Sequence, residues 1–321
     1  MKKTEKKSQR NEGRKLRWRL QTVRDLARHL GLSEEFLLHF HAPMSRYYRS
    51  WDEPKRSGGT RPIDCPREKL KQVQSRINER LLQRTRVHRT AMGGIRGKRL
   101  ADNAKLHAGR PMLAKFDLQD FFMNITPGQV YDCYVSMGCS PDVARILTRL
   151  TTYKGRVPQG APTSTMLANL VAAYQGHSAF NERLGGLATC HGATTTTWVD
   201  DVALSGPRYL PRLQGTVERI ARQSGFVPNK TKNKFMGAQS QQFLTGLVVN
   251  QKPNVSKEKR RALRAELHRC KTQGPAAVAG GSAEKLKSKL RSTIAHVQSV
   301  NPAAGAKLLA QFHEIPWSGQ Q

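Results

Sequence analysis

The acidic residues with the clearest potential for chemistry are Asp117, Asp200 and Asp201. Asp117 lies near the end of the apolar segment MLAKFDL, and Asp200–Asp201 interrupts the β-branched segment TTTTWVDDVALS. Aspartate is depleted in strands, and a buried carboxylate is costly unless it is paired or binds a metal. An Asp-Asp pair alone is commoner in a surface turn, but the apolar residues on both sides favour a buried site. The two segments are therefore candidates for a site of hard divalent cations such as Mg²⁺, which prefers oxygen ligands.

Such a carboxylate cluster is suited to phosphoryl transfer. Three carboxylates on neighbouring strands can hold two Mg²⁺ ions about 4 Å apart, which stabilise the attacking and leaving oxygens. The rest of the chain is strongly basic, with 55 Lys and Arg against 23 Asp and Glu and a net charge of +32. That excess attracts polyanions. Acidic residues within a basic protein indicate an enzyme acting on nucleic acid; a ribosomal or chromatin protein and a binder of anionic membranes are the alternatives.

The elements that position these acids follow from hydrophobic periodicity. Runs of β-branched and apolar residues bounded by turn residues predict strands at 112–118 and 241–249 and hairpins at 47–66 and 194–205. Apolar residues spaced three and four apart predict helices, with Gly31 ending the first of them and Ser33 capping the next. The main predicted helices span 22–30, 67–84, 127–137, 141–152, 165–184, 211–224 and 257–271, followed by a flexible linker at 273–282 and a final helix pair.

The remaining bulk features concern location. Residues 1–20 are basic and without periodicity, which indicates either a flexible arm on a phosphate backbone or a solubilising tail. The five cysteines are odd in number and form no CxxC pair, which argues against a disulfide framework or a structural zinc site. No signal peptide and no apolar run near the ~18 residues of a membrane span is present. We therefore expect a cytoplasmic protein without a membrane partner.

The order and spacing of several motifs resemble the palm of reverse transcriptases. The motifs are FDLQDFF at 116–122, VPQGAPTS at 157–164 with Leu-Ala-Asn at 167–169, and WVDD at 198–201. Upstream, Pro-Lys at 54–55 and Arg-Pro-Ile at 61–63 resemble the fingers of the same family, so the resemblance covers about residues 45–270. Two shorter segments, NAKLH at 103–107 and LTGL at 244–247, are similar to signatures of the bacterial retron-type members.

The resemblance implies an α+β, right-hand polymerase fold with fingers, a palm of antiparallel sheet and helices, and a short helical thumb. We expect the fingers at 21–110, with further residues from the 150–160 loop, the palm at 111–250 and the thumb at 251–321. Because about 70 residues follow position 250, we expect no RNase H domain, and we expect no zinc-ligand endonuclease motif or maturase extension.

The resemblance also implies roles for individual residues at the reacting centre. Asp117 and Asp200 would ligate two Mg²⁺ ions, with Asp201 supporting them. Phe122 matches the steric gate that excludes a ribose 2′-OH, and Gln159 matches a contact to the sugar and base region of the incoming nucleotide.

Basic residues would complete the substrate site. Lys55 and Arg61 match the fingers cations that grip the triphosphate, since Arg suits bidentate phosphate contacts and Lys supplies a point charge. Lys232 matches a lysine near the leaving pyrophosphate, with Lys230 and Lys234 as close competitors.

Two further groups are expected to act on RNA. Arg260, Arg261 and Arg264 share one face of the predicted thumb helix, with Leu263 and Leu267 on another. We expect these arginines to contact template RNA, the alternative being an ordinary solvated face. Asn103 and His107 are expected to position RNA or the primer end, the alternative being packing residues.

The resemblance to retron enzymes implies the reaction and its partners. The protein would copy a dedicated structured RNA with dNTPs, starting from the 2′-OH of a guanosine in that RNA. The product would be a branched RNA–DNA hybrid, multicopy single-stranded DNA (msDNA), that stays bound. An antiphage role with an effector protein partner is also implied.

The sequence departs from the family pattern at three places and leaves rival functions open. Trp198 stands where Tyr is usual, Thr165 where Pro is usual and Leu244 where Val is usual. The larger ring of Trp198 bears on nucleotide fit and fidelity. The alternatives are a reverse transcriptase of another mobile or diversity-generating element, a catalytically silent polymerase-like RNA-binding scaffold, and a nonspecific basic RNA-binding protein.

Overall fold

The computed structural model describes residues 18–40, 42–55, 58–174 and 179–317. These residues form two compact units. The first comprises residues up to Lys98, Lys115–Ala203 and Pro211–Lys234, and the second comprises Arg99–Ala114, Leu204–Leu210 and the chain from Phe235 onward. Most of the arm predicted at 1–20 lies outside the described residues. Residues 18–20 belong to the first unit, where the Trp18 indole donates to Thr85 Oγ1 at 3.0 Å and Leu20 is buried.

Among the described residues, helices and strands are interspersed as far as Val248, and four helices follow. The helices are α1 Val23–Leu30, α2 Glu34–Leu38, α3 Glu68–Arg80, α4 Leu100–His107, α5 Pro127–Ser136, α6 Pro141–Thr151, α7 Ser164–Tyr174, α8 Phe180–Cys190, α9 Gln214–Gln223, α10 Lys257–Gln273, α11 Pro275–Ala279, α12 Ala283–Val300 and α13 Pro302–His313. The strands are β1 Tyr48–Pro54, β2 Thr60–Pro66, β3 Met112–Gln119, β4 Thr194–Trp198, β5 Asp201–Gly206, β6 Val227–Gly237, β7 Phe243–Leu244 and β8 Leu247–Val248. Short 3₁₀ turns lie at Met44–Tyr47, Leu82–Arg84 and Leu210–Leu213. None of the described helices is both long and apolar enough to span a bilayer.

The central sheet brings the two acidic segments side by side. Its strand order is β4-β5-β3-β6, so β3, which carries Asp117, is the direct neighbour of β5, which begins with Asp201. Only Val199 and Asp200 separate β4 from β5. The predicted hairpin at 194–205 with acids at its tip is therefore confirmed.

A second sheet of two antiparallel strands lies in the first unit. In this β1–β2 hairpin Glu53 pairs with Arg61, Trp51 with Ile63 and Ser50 with Asp64. Because alternate residues of a strand point to opposite faces, Glu53 and Arg61 lie on the other face from Ser50 and Asp64.

Local signals in the sequence account for the helix ends of the first unit. Thr22 and Asp25 form a reciprocal capping box at the start of α1, and Gly31 ends that helix with φ 64°. The Ser33 side chain then caps α2 by accepting from the Phe36 N–H. Both predictions at Gly31 and Ser33 are confirmed.

The second unit contains helices whose apolar stripes are buried. Leu263 and Leu267 of α10 are buried, as are Leu290 and Ile294 of α12 and Phe312 of α13. Ion pairs at the surface add to this packing, with Lys271 Nζ 2.7 Å from Glu314 and Lys289 Nζ 3.1 Å from Glu266. The predicted basic helix and the final helix pair are confirmed.

Three predicted elements differ from the structure. The strand expected at 241–249 is the two-residue pair β7 and β8, because Thr245 and Gly246 take positive φ angles of 46° and 91° and turn the chain back. The linker expected at 273–282 contains the short helix α11, which begins at a proline between Gly274 and Gly280. The single helix expected at 165–184 is two helices, α7 and α8.

Candidate active site

The tip of the β4–β5 hairpin holds Asp200 in an unusual backbone setting. Val199, the residue before it, has φ 61°, a conformation that is strained for a β-branched side chain. Gly93 lies directly against this turn, since a Cβ atom at Gly93 would come within 2.9 Å of the Val199 nitrogen. The neighbouring Met92 N–H donates to the carbonyl of Thr197 at 2.8 Å. The turn is therefore held by packing as well as by the hairpin itself.

Asp117 is tied to that turn through the sheet and to β6 through its side chain. The N–H of Leu118 donates to the Asp200 carbonyl at 3.2 Å. The Asp117 carboxylate, 16% exposed, accepts from Asn229 Nδ2 at 3.1 Å and pairs with Lys232 Nζ at 3.1 Å. Of the three lysines considered for the pyrophosphate end, Lys232 is thus the one paired with this acid, whereas Lys230 lies 3.8 Å from Glu218.

The charges of the three acids act on one another. Burial first, and then the negative charges of Asp201 and Asp117, raise the pKa of Asp200 to about 6. Asp201 has its own partner, Lys115, with Nζ 3.8 Å from its carboxylate. Within the described part of the chain, no three His, Cys, Asp or Glu side chains converge closely enough to form a preformed metal cluster. The three carboxylates are near enough to repel one another, but their oxygens do not converge on one point.

The donor set nevertheless fits a hard divalent cation. All three groups offer carboxylate oxygens, the ligands that such cations prefer, and the carboxylates of Asp201 and Asp117 are near enough to Asp200 to add to the effect of burial on its pKa. Asp117, Asp200 and Asp201 are the residues that could hold such an ion.

A cavity of about 1050 Å³ opens beside these acids in the first unit. It is at the upper end of the roughly 300–1000 Å³ range of small-molecule sites. Its lining includes two of the predicted metal ligands and every predicted nucleotide-binding residue: Asp117, Asp200, Lys55, Arg61, Phe122, Gln159 and Lys232. Asp201 is not among the lining residues.

The basic residues of this cavity are partly neutralised by nearby acids. Arg61 donates from Nε at 3.1 Å and from Nη2 at 2.8 Å to the same oxygen of Glu53, and both side chains are a little under half exposed. Phe122 is half-buried at the wall and meets Phe121 edge-on, with ring centroids 5.8 Å apart. Phe121 is itself buried against Phe226, at 5.0 Å, so the aromatic wall is supported from behind.

A second cavity, of about 440 Å³, lies in the second unit. Arg260 and Arg264 line it together with Lys252 and Lys307, and no carboxylate belongs to its lining among the described residues. Arg261 is exposed on α10 but is not part of that lining. The three arginines predicted to share one face therefore divide, because Arg260 and Arg264 are four residues apart on the helix and Arg261 is turned away from them.

Asn103 and His107 are fully buried in the second unit. His107 Nδ1 lies 2.8 Å from Ser205 Oγ, and burial, with a contribution from Arg110, lowers the pKa of His107 to about 4. The imidazole is thus neutral at physiological pH. Neither side chain reaches the surface, so any role of this pair in RNA binding is indirect.

Several residues of the site were not singled out by sequence reasoning. Asn229 and Glu53 line the large cavity and bond to Asp117 and Arg61. Asp64 is buried behind the same cavity region, on β2. Each of these polar residues lies in an extended segment, which was the only sequence signal for them. Their contact partners are distant in the chain, and residue spacing alone does not predict such contacts.

Comparisons with known proteins bear on the family of the chain. The family model described as reverse transcriptase (RNA-dependent DNA polymerase) matches residues 53–249. The retron Mx65 reverse transcriptase of Myxococcus xanthus is 31% identical over 315 residues, which cover 91% of this chain and 70% of that protein. The retron Ec86 reverse transcriptase of Escherichia coli is 30% identical over 211 residues, which cover 65% of this chain and 64% of that protein.

The chain belongs to the retron reverse transcriptase family. This retron reverse transcriptase is an RNA-directed DNA polymerase, and its helices and antiparallel strands form an α+β polymerase fold. Among solved structures, telomerase from Candida albicans resembles it with a TM-score of 0.47 and 10% identity, covering 83% of this chain and 62% of that one.

The raised pKa of Asp200 predicts a stability effect in the retron reverse transcriptase. The contribution of this group to stability is fully present below its ordinary pKa of 3.8 and is lost as pH rises through about 6. At pH 8 without divalent metal, Asp200→Asn should therefore stabilise the fold by at most about 3 kcal/mol. Urea unfolding at pH 8 and pH 4.5 measures this, and about two-thirds of the gain should be lost at the lower pH, which lies between the two pKa values. An equal gain in stability at both pH values would show that the ionised Asp200 carboxylate is not what destabilises the fold.

Proposed function

We propose that this chain is the polymerase of a retron that makes branched, RNA-linked single-stranded DNA (msDNA) from a dedicated structured RNA. The observation that carries the proposal is the cavity of about 1050 Å³, where Asp117 and Asp200 face the residues expected to bind a nucleotide. Nucleotidyl transfer requires carboxylates that bind metal ions and cations that bind a triphosphate, all lining one cavity.

The metal part of the proposal concerns two Mg²⁺ ions. Asp117 and Asp200 would hold both ions, and Asp201, beside Asp200 but outside the cavity lining, would support them. When bound, the ions stabilise the charge that develops on the attacking and leaving oxygens. Lys232 would then exchange its contact with Asp117 for the phosphates of the nucleotide, because its ammonium is about half exposed and free to turn.

The nucleotide part concerns the other residues of the cavity. Arg61 would leave Glu53 and bind the triphosphate bidentately, with Lys55 as a second cation. Gln159 would contact the sugar and base region. Phe122, supported by Phe121, would fill the space of a ribose 2′-OH and so select dNTPs.

The RNA part concerns residues 251–321, which we assign as the thumb. Arg260 and Arg264 would bind phosphates of the template-primer RNA, since they line a basic cavity with Lys252 and Lys307. Arg261 would add a contact from the exposed side of α10. Residues 21–110 would be the fingers and 111–250 the palm.

The wider role follows from the family. Priming from the 2′-OH of a guanosine in the structured RNA, and a product that stays bound, are what the resemblance of the motifs to retron enzymes implies. We also propose that the enzyme works in the cytoplasm within an antiphage defence system, together with an effector protein.

Removal of the hairpin acids tests the polymerase. In primer extension on an RNA template with labelled dNTPs and Mg²⁺, the Asp200→Asn, Asp201→Asn double variant should lose about 10³-fold in rate, because metal-ion catalysis contributes several kcal/mol.

The matched control for that double variant is Asp132→Asn, which removes an exposed carboxylate of α5 outside the cavity lining. Extension by the wild type and the control, but not by the double variant, supports the polymerase. A folded, RNA-binding wild type that fails to extend its own structured RNA would favour the silent scaffold.

The proposed gate makes a separate prediction. Phe122→Ala should reduce the preference for dNTPs over rNTPs by about 10- to 100-fold, since a steric contact of this size discriminates by about 1–3 kcal/mol. Competing incorporation of a dNTP and the matching rNTP measures the ratio. Phe36→Ala, which shortens a half-buried aromatic residue of α2, is the control. An unchanged ratio in Phe122→Ala would remove the gate assignment.

The thumb assignment is tested by binding rather than turnover. Replacing Arg260 and Arg264 with Gln should weaken binding of the structured RNA by about 10- to 100-fold, because each charged hydrogen bond contributes about 1.5–3 kcal/mol before compensation. Fluorescence anisotropy with labelled RNA measures the Kd. Replacing Lys285 and Arg291 of α12 with Gln removes two exposed cations of the same unit outside that cavity. An equal loss in both double variants would indicate a general charge effect.

A further inference from the structure

Asp64 is a buried carboxylate in the first unit that the roles proposed so far leave unused. Its side chain is 1% exposed. It accepts hydrogen bonds from Ser50 Oγ at 2.6 Å, Lys154 Nζ at 3.1 Å and Arg156 Nη2 at 3.1 Å. Burial alone would raise the pKa of Asp64, but these three hydrogen bonds outweigh it and lower the pKa below its ordinary value. The group is thus ionised at neutral pH.

Both cations come from one tight turn. Tyr153 and Arg156 exchange backbone hydrogen bonds of 2.8 and 3.1 Å, and Lys154 and Gly155 between them have φ angles of 51° and 72°. The left-handed conformation is unfavourable for a lysine, so the turn needs support from its surroundings. The Tyr153 ring stacks on Tyr48 of β1 with centroids 4.3 Å apart. Asp64 and Tyr48 therefore hold this turn against the β1–β2 hairpin.

The same segment continues directly to Gln159. The N–H of Asp64 donates to the Gln159 carbonyl at 2.8 Å. Asp64 therefore binds the segment at two places, through its main chain at Gln159 and through its side chain at Lys154 and Arg156. Gly160 follows with φ 118°, and a Cβ atom there would come within 3.1 Å of Ile63 Cγ2 and 3.4 Å of the Asp64 carbonyl oxygen. The segment thus lies directly on β2, which also carries Arg61.

If Asp64 only filled space in the core, a neutral residue of similar size would stabilise the fold as well. Replacing a buried ion pair with apolar groups is often neutral or stabilising, whereas ionic contacts fix geometry. Here the contacts join the strand that carries Arg61 to the loop that carries Gln159, and both of those side chains line the large cavity. A small shift of either wall would change how a nucleotide fits between them.

We propose that Asp64 is a positioning residue for nucleotide binding, which fixes the Gln159 loop on the Arg61 strand through Lys154 and Arg156. The proposal rests on the roles proposed above for Arg61 and Gln159. Asp64 itself does not line the cavity and acts through those two residues.

The test is a steady-state comparison of Asp64→Asn, Arg156→Gln and the double variant in full-length protein with its RNA. Each single variant should raise the KM for dNTP by about tenfold while kcat changes little and the Kd for RNA stays at the wild-type value. Because both residues act through one contact, the double variant should be no worse than the poorer single variant. The conservative Arg156→Lys, which keeps the charge, should recover part of the loss.

A stability control separates positioning from general weakening of the fold. Tyr134→Phe removes a buried hydroxyl 3.4 Å from Thr151 Oγ1 in the same unit, away from the cavity lining. It should lower the urea midpoint and leave the KM for dNTP unchanged. If Asp64→Asn instead lowers kcat and raises the Kd for RNA in step with its urea midpoint, as general weakening would, the positioning role is overturned.

Two further variants distinguish the inference from the function on which it rests. Arg61→Gln and Gln159→Ala should each raise the KM for dNTP. If they do so and Asp64→Asn does not, Asp64 has no positioning role and the nucleotide site stands. If neither of them changes the KM, the proposed nucleotide contacts fail, and the role of Asp64 fails with them.

Discussion

The burial and mutual repulsion of three carboxylates in one site are the constraint on which the rest of the first unit depends. Burial first, and then the negative charges of Asp201 and Asp117, raise the pKa of Asp200 to about 6. The backbone must therefore hold these acids adjacent to one another. Three features hold them: the pairing of β5 with β3, the strained turn at Val199 and the close packing of Gly93 on that turn.

The cations around the large cavity fall into two kinds. Arg61 and its partner Glu53 are both about half exposed, and such a surface pair contributes only about 0–1 kcal/mol. Lys232 is also about half exposed, although its partner Asp117 is mostly buried. Arg156 is mostly buried and shares Asp64 with Lys154, so that contact is part of the framework. The more exposed cations thus belong to the lining of the large cavity, and the buried network lies outside that lining.

The sequence was sufficient to predict the periodic helices and strands and the acidic residues, but not the contacts between residues far apart in the chain. The hairpins, the capped helices at Gly31 and Ser33 and the basic helix α10 follow from signals within a few residues. The strand expected at 241–249 failed because an apolar run does not reveal that Thr245 and Gly246 both take positive φ. The network at Asp64 joins residues about 90 positions apart, a pairing that no local pattern encodes.

The candidate site shows the same division. Motif order selected seven residues that line the large cavity, but it left Lys230 and Lys234 open beside Lys232, and only the pairing with Asp117 separates these lysines. The burial of Asn103 and His107 and the separation of Arg261 from Arg260 depend on packing in the second unit, which helical spacing describes only in part.

The absence of carboxylates from the lining of the small basic cavity, among the described residues, has a consequence for ionic strength. If RNA binds there as proposed, each phosphate that contacts Arg or Lys releases its condensed counterions to solution, so the affinity falls steeply as salt is added. If a triphosphate binds in the large cavity as proposed, it displaces acids of the protein itself, such as Glu53, and fewer mobile ions are released. Salt should therefore act mainly on capture of RNA and much less on capture of the nucleotide.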